Sequence, residues 1–280
     1  MLVVRAFAKI NLTLDVLGRR PDGYHEIASV MQSLALCDYL SFEEAEEIIL
    51  TTEGGEVPPG PENLVYRAAV ALQRAAGVKS GALIHLDKRI PVAAGLGGGS
   101  ADAAATLLGL NELWRLDLSR TELETIAAGV GADVPFCLAG GTALAQGKGE
   151  IITPLLPPAP AMGVVLALPS FGVSTAEVYA RFDAAAVQAR PSTAAMLRAL
   201  RSGRVKQIAA ALGNMLEEVT FALHPELAAL KRAVMDCGAL GALMSGSGPV
   251  IFGLTADVPA ARRVAACLGA LGVATLVTST

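Results

Sequence analysis

The sequence predicts an α+β protein of two domains, and three observations carry that prediction. Residues 2–50 are rich in alternating β-formers, whereas Ala-rich stretches at helical spacing follow them. Leu155-Leu156-Pro157-Pro158-Ala159-Pro160 places three prolines in a short span, a stiff extended linker that divides the chain into segments 1–154 and 161–280. Beyond the linker the elements run β, α, β, β, α, β, the order of a ferredoxin-like domain. A chain of 280 residues has ample material for both cores.

In chain order, residues 2–17 read as a strand bent near Ala8, with Lys9 and Asn11 on one side of it. A lysine in a mostly apolar strand is costly unless it meets an anion, or unless the strand lies at an edge and the ammonium reaches water. Gly18 to Glu26 is a turn-rich loop leading to a second strand over 27–36. Tyr24 and His25, at its junction, are suited to stack on and hydrogen-bond a planar ring, or else are ordinary surface. Residues 38–50 read as a further strand whose acidic run (Glu43, Glu44, Glu46, Glu47) is a solvated face. After a loop over 52–61, Glu62-Asn63 start a helix that ends at Ala76 with Gly77 as its stop. Residues 81–87 alternate as a strand in which His85 is structural, and Lys88-Arg89 lead out of it.

Next comes Pro91-Val92-Ala93-Ala94-Gly95-Leu96-Gly97-Gly98-Gly99-Ser100-Ala101, around which the chain is organised. Gly95, Gly97, Gly98 and Gly99 remove the Cβ atoms that keep a ligand off the backbone and permit positive φ, so successive N–H groups can surround an anion. Ser100 reads as the N-cap of a helix from Ala101 to about Leu116, which adds the positive end of a helix dipole. That is a phosphate cradle. It is neither of two familiar ones: the dinucleotide pattern G-x-G-x-x-G fails at Ser100. The Walker A pattern fails around Gly141 to Gly149, where the spacing is one too long and glycine replaces the hydroxyl.

Ser119 and Glu122 form a capping box for a helix over 120–129. In Gly131-Ala132-Asp133-Val134-Pro135-Phe136, Asp133 is a lone carboxylate in an apolar segment, placed either to cap the next short element or to accept a proton. Residues 139–153 form a hairpin turning at Gly147-Lys148-Gly149. Past the linker we read a strand over 162–168, helices near 175–182, 193–201, 204–213 and 225–236, strands over 240–245 and 249–254, a helix over 258–269 and a strand over 272–278. Met244 to Pro249 is either a tight hairpin or a second glycine loop beside the first site.

Composition excludes several classes. The longest apolar run, Ala161–Leu168, is far short of the ~20 residues of a membrane span. Arg5, Lys9 and Asn11 interrupt any signal-peptide core, so a cytoplasmic protein is expected. Cys37, Cys137, Cys237 and Cys267 lie far apart in apolar settings and read as reduced, buried thiols. A net charge of −4 argues against a nucleic-acid surface.

Pro91 to Ser100 match P-x-x-x-G-L-[GS]-[GS]-[GS]-[SA], and with Met244–Pro249 they resemble the GHMP small-molecule kinases, the superfamily of galactokinase, homoserine kinase and mevalonate kinase. Ala8-Lys9-Ile10-Asn11-Leu12, Arg20-Pro21-Asp22-Gly23-Tyr24-His25 and Gly131 to Phe136 resemble the branch of it that acts on a cytidine diphosphate-linked methylerythritol. The resemblance implies a ribosomal protein S5 domain 2-like N-terminal domain (1–154) that binds ATP and catalyses, and a ferredoxin-like C-terminal GHMP kinase domain (161–280). It implies Lys9 and Asp133 as the catalytic pair, and ATP phosphates held by the backbone of residues 91–101. Asn63 is implied on the adenine side, Tyr24, His25 and Tyr179 around the cytosine, and Asn11 near the methylerythritol. It also implies Mg²⁺, for which no protein ligand is named, no nucleic-acid or membrane partner, and a monomer or weak homodimer. Ala93-Ala94 stand where some relatives have glycines. Two other readings are a homoserine- or mevalonate-type kinase, which has no use for an aromatic clamp, and a non-catalytic ligand- or RNA-binding relative.

Overall fold

The structure is a computed structural model that describes residues 1–55, 57–182 and 190–280. Two long strands open the chain: β1 (Leu2–Arg19) and β2 (His25–Ala45). The two strands expected over 27–36 and 38–50 are therefore one strand plus β3 (Ile48–Glu53). Asp38 does not break it, because its carboxylate is tied to the Arg89 and Ile90 amides and Lys88, and cross-strand hydrogen bonding continues through both halves of β2. Then come α1 (Leu64–Ala76), β4 (Gly81–Asp87), α2 (Gly98–Leu113), α3 (Arg120–Val130), α4 (Val134–Ala139), β5 (Thr142–Gly147) and β6 (Ile151–Pro154). Asn63 and left-handed Gly77 cap α1 as expected, and both halves of the Ser119–Glu122 capping box are made.

The chain continues with β7 (Gly163–Leu168), α5 (Thr175–Arg181), α6 (Thr193–Ser202), α7 (Val205–Ala210), β8 (Gly213–Asn214), α8 (Leu216–Leu223), α9 (Glu226–Asp236), β9 (Gly241–Met244), β10 (Ile251–Thr255), α10 (Val258–Ala270) and β11 (Ala274–Ser279). Sequence reading missed β8 and α8, which it merged with a helix over 204–213 and a gap.

The described residues form two compact units, each assembled from separated stretches. The first comprises Met1–Ala8, Leu36–Val92 and Gly97–Gly140, and the second Lys9–Ala35, Ala93–Leu96 and Gly141–Thr280. In the first, β4 pairs antiparallel with the C-terminal part of β2 and parallel with β3. Helices α1 to α4 cover a core containing Leu40, Phe42, Leu72, Ile84, Leu86 and Leu107. Helix α2 is buried almost all round, and its alanines let neighbouring helices approach closely.

In the second unit, the N-terminal part of β2 pairs with β5, β5 pairs with β6, and β1 pairs with β8 at Thr13 and Leu14. A separate antiparallel sheet has the order β11-β7-β10-β9. Numbered within this sheet, that is fourth, first, third, second: the ferredoxin-like order the sequence predicts. One expectation fails here. Cys237, at the end of α9, and Cys267, in α10, form a disulfide, so they are not reduced thiols; Cys37 and Cys137 are in no disulfide. The sequence separation of 30 hides a pairing that α9 and α10 create by presenting both sulfurs to one another.

Candidate active site

Helix α2 begins three residues earlier than expected. Gly97 is its N-cap, in the left-handed conformation at φ 68°, and Ser100 lies inside the first turn without capping it. Three glycines make this possible, because Gly97 can take positive φ without a Cβ clash. The first intrahelical bond runs from the Ala101 amide to the Gly97 carbonyl at 2.8 Å. The amides of Gly98, Gly99 and Ser100 therefore have no helical acceptor and are the donors an anion would take.

Asp133 also lies in the first unit. It is half-buried at the start of α4, and its side chain makes no capping bond. The segment before it packs close to the first turn of α2: a Cβ on Gly131 would lie 4.0 Å from Ser100 Oγ. Asn63 is engaged in its own helix start, accepting from the Val65 amide at 2.9 Å and donating to the Pro58 carbonyl at 2.8 Å.

In the second unit, the Lys9 amide donates to the Leu96 carbonyl at 2.9 Å, which joins β1 to the crest of the glycine loop. The buried Lys9 ammonium donates to Asn11 Oδ1 at 2.8 Å, and Asn11 Nδ2 donates to Ser29 Oγ at 2.8 Å. Ser29 in turn donates to the Thr13 carbonyl. The Met244–Pro249 stretch closes on the same crest. Ser245 Oγ donates to the Gly95 carbonyl at 2.9 Å, and a Cβ on Gly246 would lie 3.5 Å from Lys9 Nζ. Gly95, at φ 74°, permits this approach, since a Cβ there would fall 2.1 Å from the Ser245 carbonyl oxygen. Both readings of Met244–Pro249 hold: the stretch closes the antiparallel hairpin of β9 and β10, with the Ser245 amide donating to the Val250 carbonyl at 3.0 Å, and it packs on the first glycine loop at Gly95. Ala93 also takes a left-handed conformation, φ 52°, which is uncommon for a non-glycine residue.

The aromatic residues expected around a cytosine lie in two places in the second unit. The His25 and Tyr179 rings lie 5.1 Å apart at 33°, with Phe182 edge-on to His25 at 6.0 Å. Burial, helped by nearby Arg19, holds His25 below the ordinary histidine pKa, so the ring is neutral at pH 7 and can offer one donor and one acceptor. Tyr24 is 56% exposed, and the Lys148 ammonium lies 4.9 Å from its ring centroid.

Several supporting residues escaped sequence reading. Asn214 donates to the Met244 and Gly246 carbonyls at 2.9 and 2.7 Å, and Thr175 Oγ1 lies 2.7 Å from Ser247 Oγ. Asp38, Lys88 and Asp102 form a buried ionic cluster. Their only sequence signal was that each carboxylate interrupts an apolar stretch. Among the described residues no group of three or more His, Cys, Asp or Glu side chains is placed to hold a metal.

The chain is 56% identical over 268 residues to the 4-diphosphocytidyl-2-C-methyl-D-erythritol kinase of Pelotomaculum thermopropionicum, covering 95% of this chain and 93% of that one. It belongs to the 4-diphosphocytidyl-2-C-methyl-D-erythritol kinase family. Identity to the Moorella thermoacetica kinase of that family is 51% over 284 residues, 100% of this chain and 99% of the relative. Residues 63–141 match the family model for the GHMP kinases N terminal domain, and residues 196–274 that for the GHMP kinases C terminal domain. A crystal structure of a 4-(cytidine 5'-diphospho)-2C-methyl-D-erythritol kinase superposes with a TM-score of 0.84 at 38% identity, covering 99% and 98% of the two chains. A homoserine kinase from Cytophaga hutchinsonii, at 21% identity and a TM-score of 0.76, shares the fold. Membership of this kinase family makes the chain an ATP-using enzyme of the GHMP kinases and sets aside the non-catalytic reading.

Proposed function

We propose that this chain transfers the γ-phosphoryl group of ATP to the 2-hydroxyl of 4-diphosphocytidyl-2-C-methyl-D-erythritol, a step in the non-mevalonate route to isoprenoid precursors. The observation that carries the reading is the juxtaposition of Lys9 with the crest of the glycine loop and with Gly246. A buried ammonium held there by Asn11 is a preorganised positive charge at a phosphate cradle. Asp133 takes the proton of the 2-hydroxyl as its oxygen bonds to the γ-phosphorus and the bond to the β-phosphate oxygen breaks, releasing ADP. Lys9 supports this by neutralising charge on the nucleophile or the transferring phosphoryl group. The amides of Gly98, Gly99 and Ser100 bind phosphate oxygens within the cradle of residues 91–101. Mg²⁺ bound to the phosphates supplies further charge neutralisation when present.

Asn63 serves the adenine side through the helix start that it caps. Tyr24 stacks on the cytosine, neutral His25 reads its edge, and Tyr179 orders His25. Asn11 positions the methylerythritol. Segment 1–154 carries ATP binding and catalysis and segment 161–280 the C-terminal GHMP domain, a division supported by the two family matches, each of which falls within one segment. Its substrates are phosphorylated metabolites of the cytoplasm.

The test is an ADP-release assay with Mg²⁺ and ATP, in which the cytidylylated methylerythritol, homoserine and mevalonate are supplied separately. Turnover is expected with the first alone. Turnover with either of the others would discard the cytosine clamp.

A further inference from the structure

The glycine loop leaves β4 at Lys88 and enters α2 at Gly98, and one buried cluster in the first unit touches both ends. Asp38, in the middle of β2, accepts hydrogen bonds from the Arg89 and Ile90 amides, the latter at 2.7 Å, and is ion-paired with Lys88. Lys88 Nζ lies 3.0 Å from Asp102 Oδ2, in α2, and 2.8 Å from where a Cβ on Gly98 would sit. All three side chains are almost wholly buried, and Asp102 Oδ1 has no hydrogen-bond partner. Two carboxylates facing one ammonium are an expensive arrangement in a core. A fold seeking stability alone would be served as well by apolar packing.

We propose that Asp38, Lys88 and Asp102 are positioning residues that clamp both ends of the glycine loop and so preset the spacing of the amides that receive the ATP phosphates. Asp38 fixes the backbone entering the loop at Arg89-Ile90, and Lys88 links that anchor to the first turn of α2. The loop's own residues supply no such cross-tie in this unit, because glycines have no side chains. The clamp rests on the reading of residues 91–101 as the ATP cradle. It adds to that reading a mechanism for holding a Gly-rich segment, otherwise entropically costly to order, in one conformation before the nucleotide arrives.

The experiment compares native enzyme, Lys88→Met and the double variant Lys88→Met with Asp38→Asn. The single variant leaves two buried carboxylates without their cation and is expected to lose stability. The double variant removes one charge of each sign, keeps an amide oxygen for the Arg89 and Ile90 amides, and is expected to regain most of the melting temperature. The tie to α2 is still missing, so its KM for ATP is expected to stay raised by about tenfold or more while KM for the cytidylyl substrate is unchanged. A double variant that recovers both stability and the native KM for ATP would make the cluster merely structural and overturn the proposal. Native enzyme provides a check independent of any variant: without ATP, the Arg89 and Ile90 amides should exchange as slowly as the core of their unit, and fast exchange there would mean that no clamp is formed in advance. A native enzyme with no saturable dependence on ATP would instead sink the cradle reading itself.

Discussion

At the scale of single residues, Asp133 and Asp102 are carboxylates in opposite situations. Asp133 is half-buried at a helix start and makes no capping bond, and asparagine keeps its shape while removing its charge. Asp133→Asn is expected to keep the melting temperature and ATP binding close to native while lowering kcat by about 10²–10⁴-fold, the range of a lost general base. Near-native turnover would remove Asp133 from the mechanism. Asp102 is buried, and burial pushes its carboxyl up to about 8, with neighbouring Lys88 acting in the opposite direction. An unfolded chain releases that proton near a pKa of about 3.9. Between those values the folded protein holds a proton that the unfolded chain has lost, so stability falls as pH rises from about 4 to 8 and then levels off. Thermal scans between about pH 6 and pH 9 should show the decline, and Asp102→Asn should flatten it. A slope unaffected by that substitution would assign the effect to another group.

At the scale of elements, α2 explains why a helix central to its unit carries a glycine in its interior. A Cβ on Gly109 would lie 2.4 Å from Cε2 of the fully buried Phe42, on β2. Alanine is the better helix former by about 1 kcal/mol, yet here it forces the ring or the helix to move. Gly109→Ala is therefore expected to destabilise by about 1–3 kcal/mol in denaturant titration, as overpacking does. A stabilised variant would show that propensity outweighs packing at this contact. The same helix explains the misplaced boundary at its start. Ser100 has the chemistry of an N-cap, but left-handed Gly97 allows the helix to begin earlier, which frees the amides of Gly98 to Ser100 for a ligand. The expected break in β2 failed for a related reason: Asp38, a poor strand former, is satisfied by tertiary partners, and pairing with β4 and β5 decides.

At the scale of the whole molecule, ATP is expected to bind the folded protein and not the unfolded chain. At about a hundred times its Kd it should stabilise by about 2.7 kcal/mol and raise the melting temperature. An unmoved transition with saturating Mg²⁺ and ATP would count against the cradle. What the sequence determined by itself was local: the glycine loop, the capping of α1 and α3, the hairpin at Gly147–Gly149, and the succession of elements that makes the C-terminal sheet ferredoxin-like. Each of these depends on neighbours within a few residues, so spacing alone records it. Only the tertiary structure decided which distant groups meet. Asp38 pairs with Lys88 across 50 residues, Asn214 holds the Met244–Gly246 carbonyls, Ser245 closes on Gly95 across 150 residues, and Cys237 joins Cys267. No periodicity encodes such contacts, because strand pairing and helix packing set them, and those depend on the whole core being formed at once.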